Sequence, residues 1–182
     1  MAAHRMRACL PPDDNCWRKA QRLSEFGPTT DDDVDRIMEV MVRAFAPEYG
    51  EAWNRRQVAD SLILGGTRYY LIDTEGNVPI SADQAAAGFA LTRGLFDEEE
   101  LLLFAVAPEH RRKGLGASLL TNVIADAKAR GIRRLFLEMR KDNPAGLLYI
   151  SYGFRTIGVR PGYYRTTSGD RIDALSQELL ID

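Results

Sequence analysis

Between Glu99 and Ala127 the chain runs through a strand-like segment, a basic turn and an amphipathic helix, and this order constrains the fold more than any other feature. Glu99 to Val106 reads as the strand. Pro108-Glu109-His110-Arg111-Arg112-Lys113-Gly114-Leu115-Gly116 makes the turn. Leu115, Leu119, Leu120, Val123, Ile124 and Ala127 then share one helical face, and the helix stops at Arg130-Gly131, a basic last turn with a C′ glycine. A helix start offers free N–H groups and the positive end of a dipole, which together suit a pyrophosphate. Gly114 and Gly116 let the backbone approach such an anion with no Cβ between. Arg111, Arg112 and Lys113 add positive charge. The three-glycine spacing of dinucleotide-binding folds is absent, and so is the lysine that follows the second glycine of a P-loop. A phosphate-like ligand still fits; the plain alternative is a solvated basic turn ahead of a surface helix.

The remaining segments read as follows. Residues 1–28 form an extension, interrupted at Pro11-Pro12-Asp13-Asp14-Asn15 and closed by Gly27-Pro28, with a short helix over Trp17 to Phe26 or else a mobile tail. The domain proper is 29–182. Thr30 as cap and the acidic turn Asp31-Asp32-Asp33 open a helix, whose apolar residues Val34, Ile37, Met38, Met41 and Phe45 recur at helical spacing. A second helix is predicted from Trp53 to Leu64, ending at Gly65-Gly66. Strands over Arg68 to Ile72 and Ala86 to Thr92 flank a connection, Asp73 to Ala85, that is long for a hairpin. Ile132 to Arg140 is the next strand. Asn143-Pro144 then supplies an N-cap and an N1 proline for a helix to Tyr152, ended by Gly153. Phe154 to Ile181 reads as two more strands around Thr167-Ser168-Gly169-Asp170. This order predicts an α/β domain with helices packed on a central sheet.

Composition removes several function classes. A net charge of −2 over 182 residues leaves no basic footprint for nucleic acid. Cys9 and Cys16 are the only cysteines and His4 and His110 the only histidines, too few for a disulfide scaffold or a zinc site, so no metal is expected. No apolar run is long enough to span a membrane. His4, Arg5 and Arg7 are followed by no apolar stretch of secretory length, and the cytoplasm is the expected compartment.

Two blocks carry a family resemblance. Leu101 to Val106 followed by Arg111-Arg112-Lys113-Gly114-Leu115-Gly116-Ala117 resembles the pyrophosphate-binding motif of the GNAT acetyltransferases. Asn143-Pro144-Ala145-Gly146-Leu147-Leu148-Tyr149-Ile150-Ser151-Tyr152-Gly153-Phe154 resembles the family's second block, in the right order and at the right separation. Arg160-Pro161-Gly162-Tyr163-Tyr164 with Asp173-Ala174, and Leu137-Glu138-Met139-Arg140 before Asn143, are similar to the RimI-like ribosomal-protein-alanine N-acetyltransferases. For the tyrosine pair, two aromatics filling a sheet are the alternative. The resemblance spans roughly 29–182. It implies the acyl-CoA N-acyltransferase fold, with a mixed, mostly antiparallel sheet flanked by helices. It also implies acetyl-CoA as co-substrate and, as acceptor, the N-terminal alanine of a ribosomal protein, and it leaves the oligomeric state open.

The resemblance also implies roles for residues. Phe104, Ala105 and Val106 belong to a strand that splays from its neighbour and binds the pantetheine arm, with the Val106 N–H as oxyanion donor. Arg112, Lys113, Gly114, Leu115, Gly116 and Ala117 hold the pyrophosphate, and Asn143 matches a cofactor contact, although its local role as N-cap competes. Glu138 matches the general base; an apolar strand around it would desolvate a carboxylate, and a carboxylate paired with Arg140 or Arg134 is the alternative. Tyr149 matches the general acid, and a helix tyrosine packed on the sheet is the alternative.

The acidic run Asp97-Glu98-Glu99-Glu100 enters the cofactor strand. It supplies a rival base in Glu100 and a surface that could attract a basic acceptor, or else a solvated turn. Leu103 stands where an asparagine is common in the RimI-like group, Phe104 replaces a smaller aliphatic, and Arg111 takes a position where glutamine is common. With both cysteines outside the motif blocks, direct attack is expected rather than an acyl-enzyme. Two other readings stay open: acetylation of a small amine or a protein lysine, and a non-catalytic acyl-CoA-binding module.

Overall fold

A computed structural model describes residues 31–63, 65–81 and 83–182. Helix α1 (Asp31–Ala44) buries Val34, Ile37, Val40 and Met41 along one stripe. A 3-10 turn over Pro47–Tyr49 leads to α2 (Arg55–Ile63). That helix starts later than the apolar spacing predicts because Asn54 caps it. The Asn54 side chain accepts the Gln57 N–H at 3.0 Å, and the Gln57 side chain accepts the Asn54 N–H at 2.9 Å. Strands β1 (Thr67–Ile72) and β2 (Gly88–Leu95) follow, then β3 (Glu98–Val106) after a tight turn. Helix α3 (Leu115–Ala129) leads to β4 (Arg134–Arg140), α4 (Gly146–Ser151), β5 (Arg155–Arg165) and β6 (Arg171–Leu180). The expected helix over Trp17 to Phe26, the Thr30 cap and Leu64 lie outside the described residues.

The six strands form one sheet in the order β1-β2-β3-β4-β6-β5. Every pairing is antiparallel except β3 with β4, which is parallel. This is the mixed, mostly antiparallel sheet expected.

Two features of β3 position everything that follows. Its pairing with β4 covers only Glu98↔Arg134, Glu99↔Leu135 and Glu100↔Phe136, after which the strands part. Its register against β2 also slips, from Leu91↔Leu103 to Thr92↔Leu101, so Leu102 is an extra, bulged residue. Strand side chains alternate between faces, and an extra residue reverses the parity. Leu101 therefore packs with the α3–α4 core, while Leu103, two residues on, packs with the α1–α2 core.

Each face has its own core. On one, Leu119, Leu120, Val123 and Ile124 of α3 meet Tyr70, Leu135, Leu137 and Met139. On the other, α1 and α2 meet Leu71, Phe89, Leu91 and Ala105, residues of β1, β2 and β3 only. With Leu135, Leu137 and Met139 turned to α3, alternation directs Phe136, Glu138 and Arg140 to the α1–α2 face. There the β4–β6–β5 half of the sheet lacks a helical cover, and Phe136, Glu138 and Ser176 are only half-buried.

Candidate active site

The basic turn ends in a ring of main-chain donors. Arg112 and Gly114 both adopt left-handed backbone, at φ 62° and 85°. Among the described residues, the N–H groups of Arg112, Lys113 and Gly114 donate to no backbone carbonyl. Leu115, Gly116 and Ala117 open α3, where helical geometry leaves the first N–H groups without partners. A run of main-chain donors thus converges at the positive end of a fifteen-residue helix. A Cβ at Gly116 would touch Leu148 Cδ2 at 3.5 Å, ordinary contact. The glycine therefore keeps the space above the turn open rather than relieving a clash in the protein itself.

Arg111 does something other than add charge for an anion. Its Nε donates to the Val106 carbonyl at 2.9 Å and its Nη2 to the Ala44 carbonyl at 3.0 Å. It ties the end of β3 and the last turn of α1 to the glycine turn. Arg112 and Lys113 are exposed.

The gap between the diverging strands supplies more main-chain groups. The Ala107 N–H donates to the Ala87 carbonyl at 2.9 Å, and Gly88↔Val106 is the neighbouring pair. Groups in an antiparallel ladder alternate in direction, so Val106 and Phe104 turn their N–H and C=O away from β2 toward the gap. Ala105, between them, turns its own toward Phe89. This gap and the glycine turn line a cleft of ≈ 510 Å³.

A second cleft of ≈ 340 Å³ adjoins it and contains Glu138, Tyr149, Tyr163 and Tyr164. Phe45, Glu51, Phe104 and Asn143 line both, so one space opens into the other. Tyr149 is buried against Phe104 and Phe154, with ring centroids 5.9 and 5.5 Å away. Among the described residues its hydroxyl has no hydrogen-bond partner, and burial pushes its pKa well above the usual phenol value. It is a neutral O–H facing a cleft. Both oxygens of Glu138 accept from Arg160 Nη1, at 3.2 and 3.0 Å. The Arg160 guanidinium also lies 3.8 Å from the Tyr163 ring, and Tyr163 meets Tyr164 edge-on at 5.1 Å. Burial, with the Glu51 and Glu138 charges nearby, pushes the Tyr164 hydroxyl up to about 12.

Neither expected partner of Glu138 is its partner. Arg134 pairs with Glu98 and Glu178, and Arg140 with Glu51 and Asp142. Asn143 is not the N-cap of α4, which is Ala145; its Oδ1 instead accepts the Ala145 N–H at 2.9 Å ahead of the helix. That bond closes a turn through Pro144 and Ala145, so the expected N1 proline lies outside α4, which begins at Gly146.

The acidic run is not a presented negative surface. Glu98 binds Arg134, and Glu100 binds Arg93 at 2.9 Å. Glu99 is fully buried and meets Arg130 at 2.5 Å, inside a network in which Asp126 accepts from both Arg130 and Tyr70. Glu100 lines a further cleft on the bare half-sheet, which Glu138 also borders, but not the one that holds Tyr149.

Sequence reading missed the loop between α1 and α2. Tyr49 stacks 3.3 Å from the Arg140 guanidinium, and Glu51 accepts from Arg140 Nε at 3.1 Å. Irregular segments carry no periodicity, and only their contacts reveal them. Among the described residues no group of three His, Cys, Asp or Glu could hold a metal ion, and no helix is long and apolar enough to cross a membrane.

Comparison with known proteins agrees with this geometry. The family model described as acetyltransferase (GNAT) family matches residues 35–154. The chain is similar to the [ribosomal protein bS18]-alanine N-acetyltransferase of Escherichia coli K12, at 40% identity over 106 residues, 58% of this chain and 71% of that one. It is 27% identical over 142 residues to a putative enzyme of the same description from Bacillus subtilis, covering 78% and 87% of the two chains. The crystal structure of the Escherichia coli ribosomal-protein-S18-alanine N-acetyltransferase superposes with a TM-score of 0.72 at 30% identity, over 86% of this chain and 92% of that one.

Proposed function

The chain belongs to the GNAT acetyltransferase family, and from that premise we propose that it moves the acetyl group of acetyl-CoA to a protein N-terminal amine, the N-terminal alanine of ribosomal protein bS18. The acetyl thioester supplies an activated carbonyl; the rest of the chemistry falls to the protein.

The cofactor cleft fits such a co-substrate on its own terms. The main-chain donors from Arg112 to Ala117 suit a pyrophosphate, and Gly116 leaves room for it. The edge at Phe104 and the Val106 N–H suit the amide-bearing pantetheine arm, the Val106 carbonyl being held by Arg111, and the Val106 N–H is the donor nearest the end of that edge. We read residues 29–182 as the domain that carries both clefts.

The acceptor amine has a reference pKa of about 7.7–8 and must lose a proton before it attacks. Glu138 is the base in this reading, with Arg160 holding its carboxylate in place until the ammonium arrives. Tyr149 is the acid: its buried, protonated hydroxyl has a proton to give to the departing sulfur. The observation that carries the reading is the junction of the two clefts, where the cofactor-side edge at Phe104 meets the space holding Glu138 and Tyr149. The bare half-sheet beyond Glu138 favours a peptide over a small amine, because the acceptor's second and later residues have a surface to cross.

The test is incubation with acetyl-CoA and a panel containing Ala-Arg peptides, internal-lysine peptides and small amines, read by mass spectrometry. Acetylation at the alanine nitrogen is expected. Robust acetylation of a small amine with no N-terminal peptide product would overturn the acceptor assignment.

A further inference from the structure

We propose that Glu51, in the loop between α1 and α2, is an acceptor-binding residue that receives the substrate's ammonium group at the junction of the two clefts. This role rests on the acetyltransferase reading above but on no particular acceptor.

Position comes first. Of the residues that line both clefts, Phe45, Glu51, Phe104 and Asn143, only Glu51 carries a charge. Glu138 lines the acceptor cleft and the bare half-sheet beyond it, not the cofactor cleft. An amine about to meet the thioester must pass the junction, and Glu51 is the carboxylate found there.

Availability separates the two carboxylates further. Glu138 has both oxygens on Arg160, at 3.2 and 3.0 Å. Glu51 has Oε2 on Arg140 Nε at 3.1 Å, while among the described residues its Oε1 accepts no hydrogen bond. Its side chain keeps 19% of its surface exposed, and it borders cleft on both sides. A free carboxylate oxygen in a partly enclosed space is a strong acceptor for an N⁺–H donor.

The surroundings fix the Glu51 carboxylate and make it share its arginine. Arg140 is buried, with 8% of its side chain exposed, and it also binds Asp142 at 2.7 Å. Two carboxylates thus share one guanidinium, so Arg140 alone does not neutralise the pair. The loop itself is pinned just ahead of this contact. Tyr49 stacks on Arg140, and the Glu48 carbonyl accepts the Thr167 N–H at 3.0 Å from the β5–β6 turn. Glu51 makes and breaks no covalent bond. It holds one ammonium N–H while another proton leaves for Glu138.

Glu51→Gln tests this directly, because the amide oxygen can still accept from Arg140 while the charge is lost. The full chain is assayed with acetyl-CoA and an Ala-Arg peptide. Acceptor KM should rise about tenfold or more, with kcat within about threefold and acetyl-CoA KM unchanged. Glu51→Asp, which keeps the charge, should recover part of the lost acceptor affinity. An unchanged acceptor KM, a parallel rise in acetyl-CoA KM, or an Asp variant no better than Gln would overturn the role. Should only a small amine be acetylated, the bS18 assignment fails, and the same KM comparison on that amine decides Glu51 separately.

Discussion

The two adjoining clefts are made from different parts of the polypeptide. The cofactor cleft is chiefly main chain: donors of the 112–117 turn, and strand edges at Phe104 and Val106 that β4 leaves unpaired. The acceptor cleft is chiefly side chain: Glu51 from a loop, Glu138 from β4, Tyr149 from α4, and Tyr163 and Tyr164 from β5. A main-chain site survives many substitutions because its donors are the same whatever residue carries them. Leu103, Phe104 and Arg111, which depart from the RimI-like pattern, accordingly remove none of these main-chain donors. A side-chain site depends on groups that arrive from distant segments, and a change in any one alters it.

The largest expected effect strikes the acceptor side. Glu138→Gln should lower kcat by about 10²–10⁴ while isothermal titration shows unchanged acetyl-CoA affinity. A larger loss from Glu100→Gln would reverse the assignment and move the chemistry onto the bare half-sheet. Tyr149→Phe should lower kcat by about 10² with little change in thermal stability, because the lost hydroxyl has no partner among the described residues. A marked fall in Tm with unaltered turnover would make Tyr149 a packing residue.

On the cofactor side the expected losses are in affinity. Gly116→Asp should weaken acetyl-CoA binding by about 2–3 kcal/mol, through a carboxylate set beside the pyrophosphate. The fold should persist, since the nearest atom to a Cβ there is 3.5 Å away. Unchanged affinity in the folded variant would remove the turn from the cofactor site. Arg111→Ala should act mainly on stability, by about 1 kcal/mol, through its lost bonds to Val106 and Ala44. A drop in acetyl-CoA affinity exceeding that loss would return Arg111 to the pyrophosphate.

The smallest effect concerns charge. Because Glu98, Glu99 and Glu100 are each paired with an arginine, Glu98→Lys should change the rate ratio of Ala-Arg to Ala-Glu peptides by less than about twofold. A ratio that collapses on this substitution would restore the acidic run as an acceptor-attracting surface.

Local rules explain how much could be read in advance. Strand β3, the glycine turn and α3 stand where periodicity and the glycine pattern predict them. Their determinants lie within a few residues of each other in the chain. Helix α2 starts at Arg55 because the reciprocal Asn54–Gln57 cap outranks the apolar pattern that begins at Trp53. The run Asp97 to Glu100 looked like one acidic feature. Alternation along a strand instead sends Glu99 into the core and Glu100 to the opposite face, and only the packing of α3 shows that Arg130 awaits the first.

The sequence by itself determined most of the elements and the glycine turn ahead of α3, because each is encoded by neighbours in the chain, while Glu138 and Tyr149 became candidates through the family resemblance. Tertiary structure alone decided that β3 and β4 part after Glu100↔Phe136, and that Arg160 rather than Arg134 or Arg140 holds Glu138. It also decided that Glu51, 89 residues from Arg140, stands at the junction. Ion-pair partners and cleft walls are chosen by which surfaces the sheet brings together. Side chains of one charge are interchangeable in a sequence until packing sets their distances.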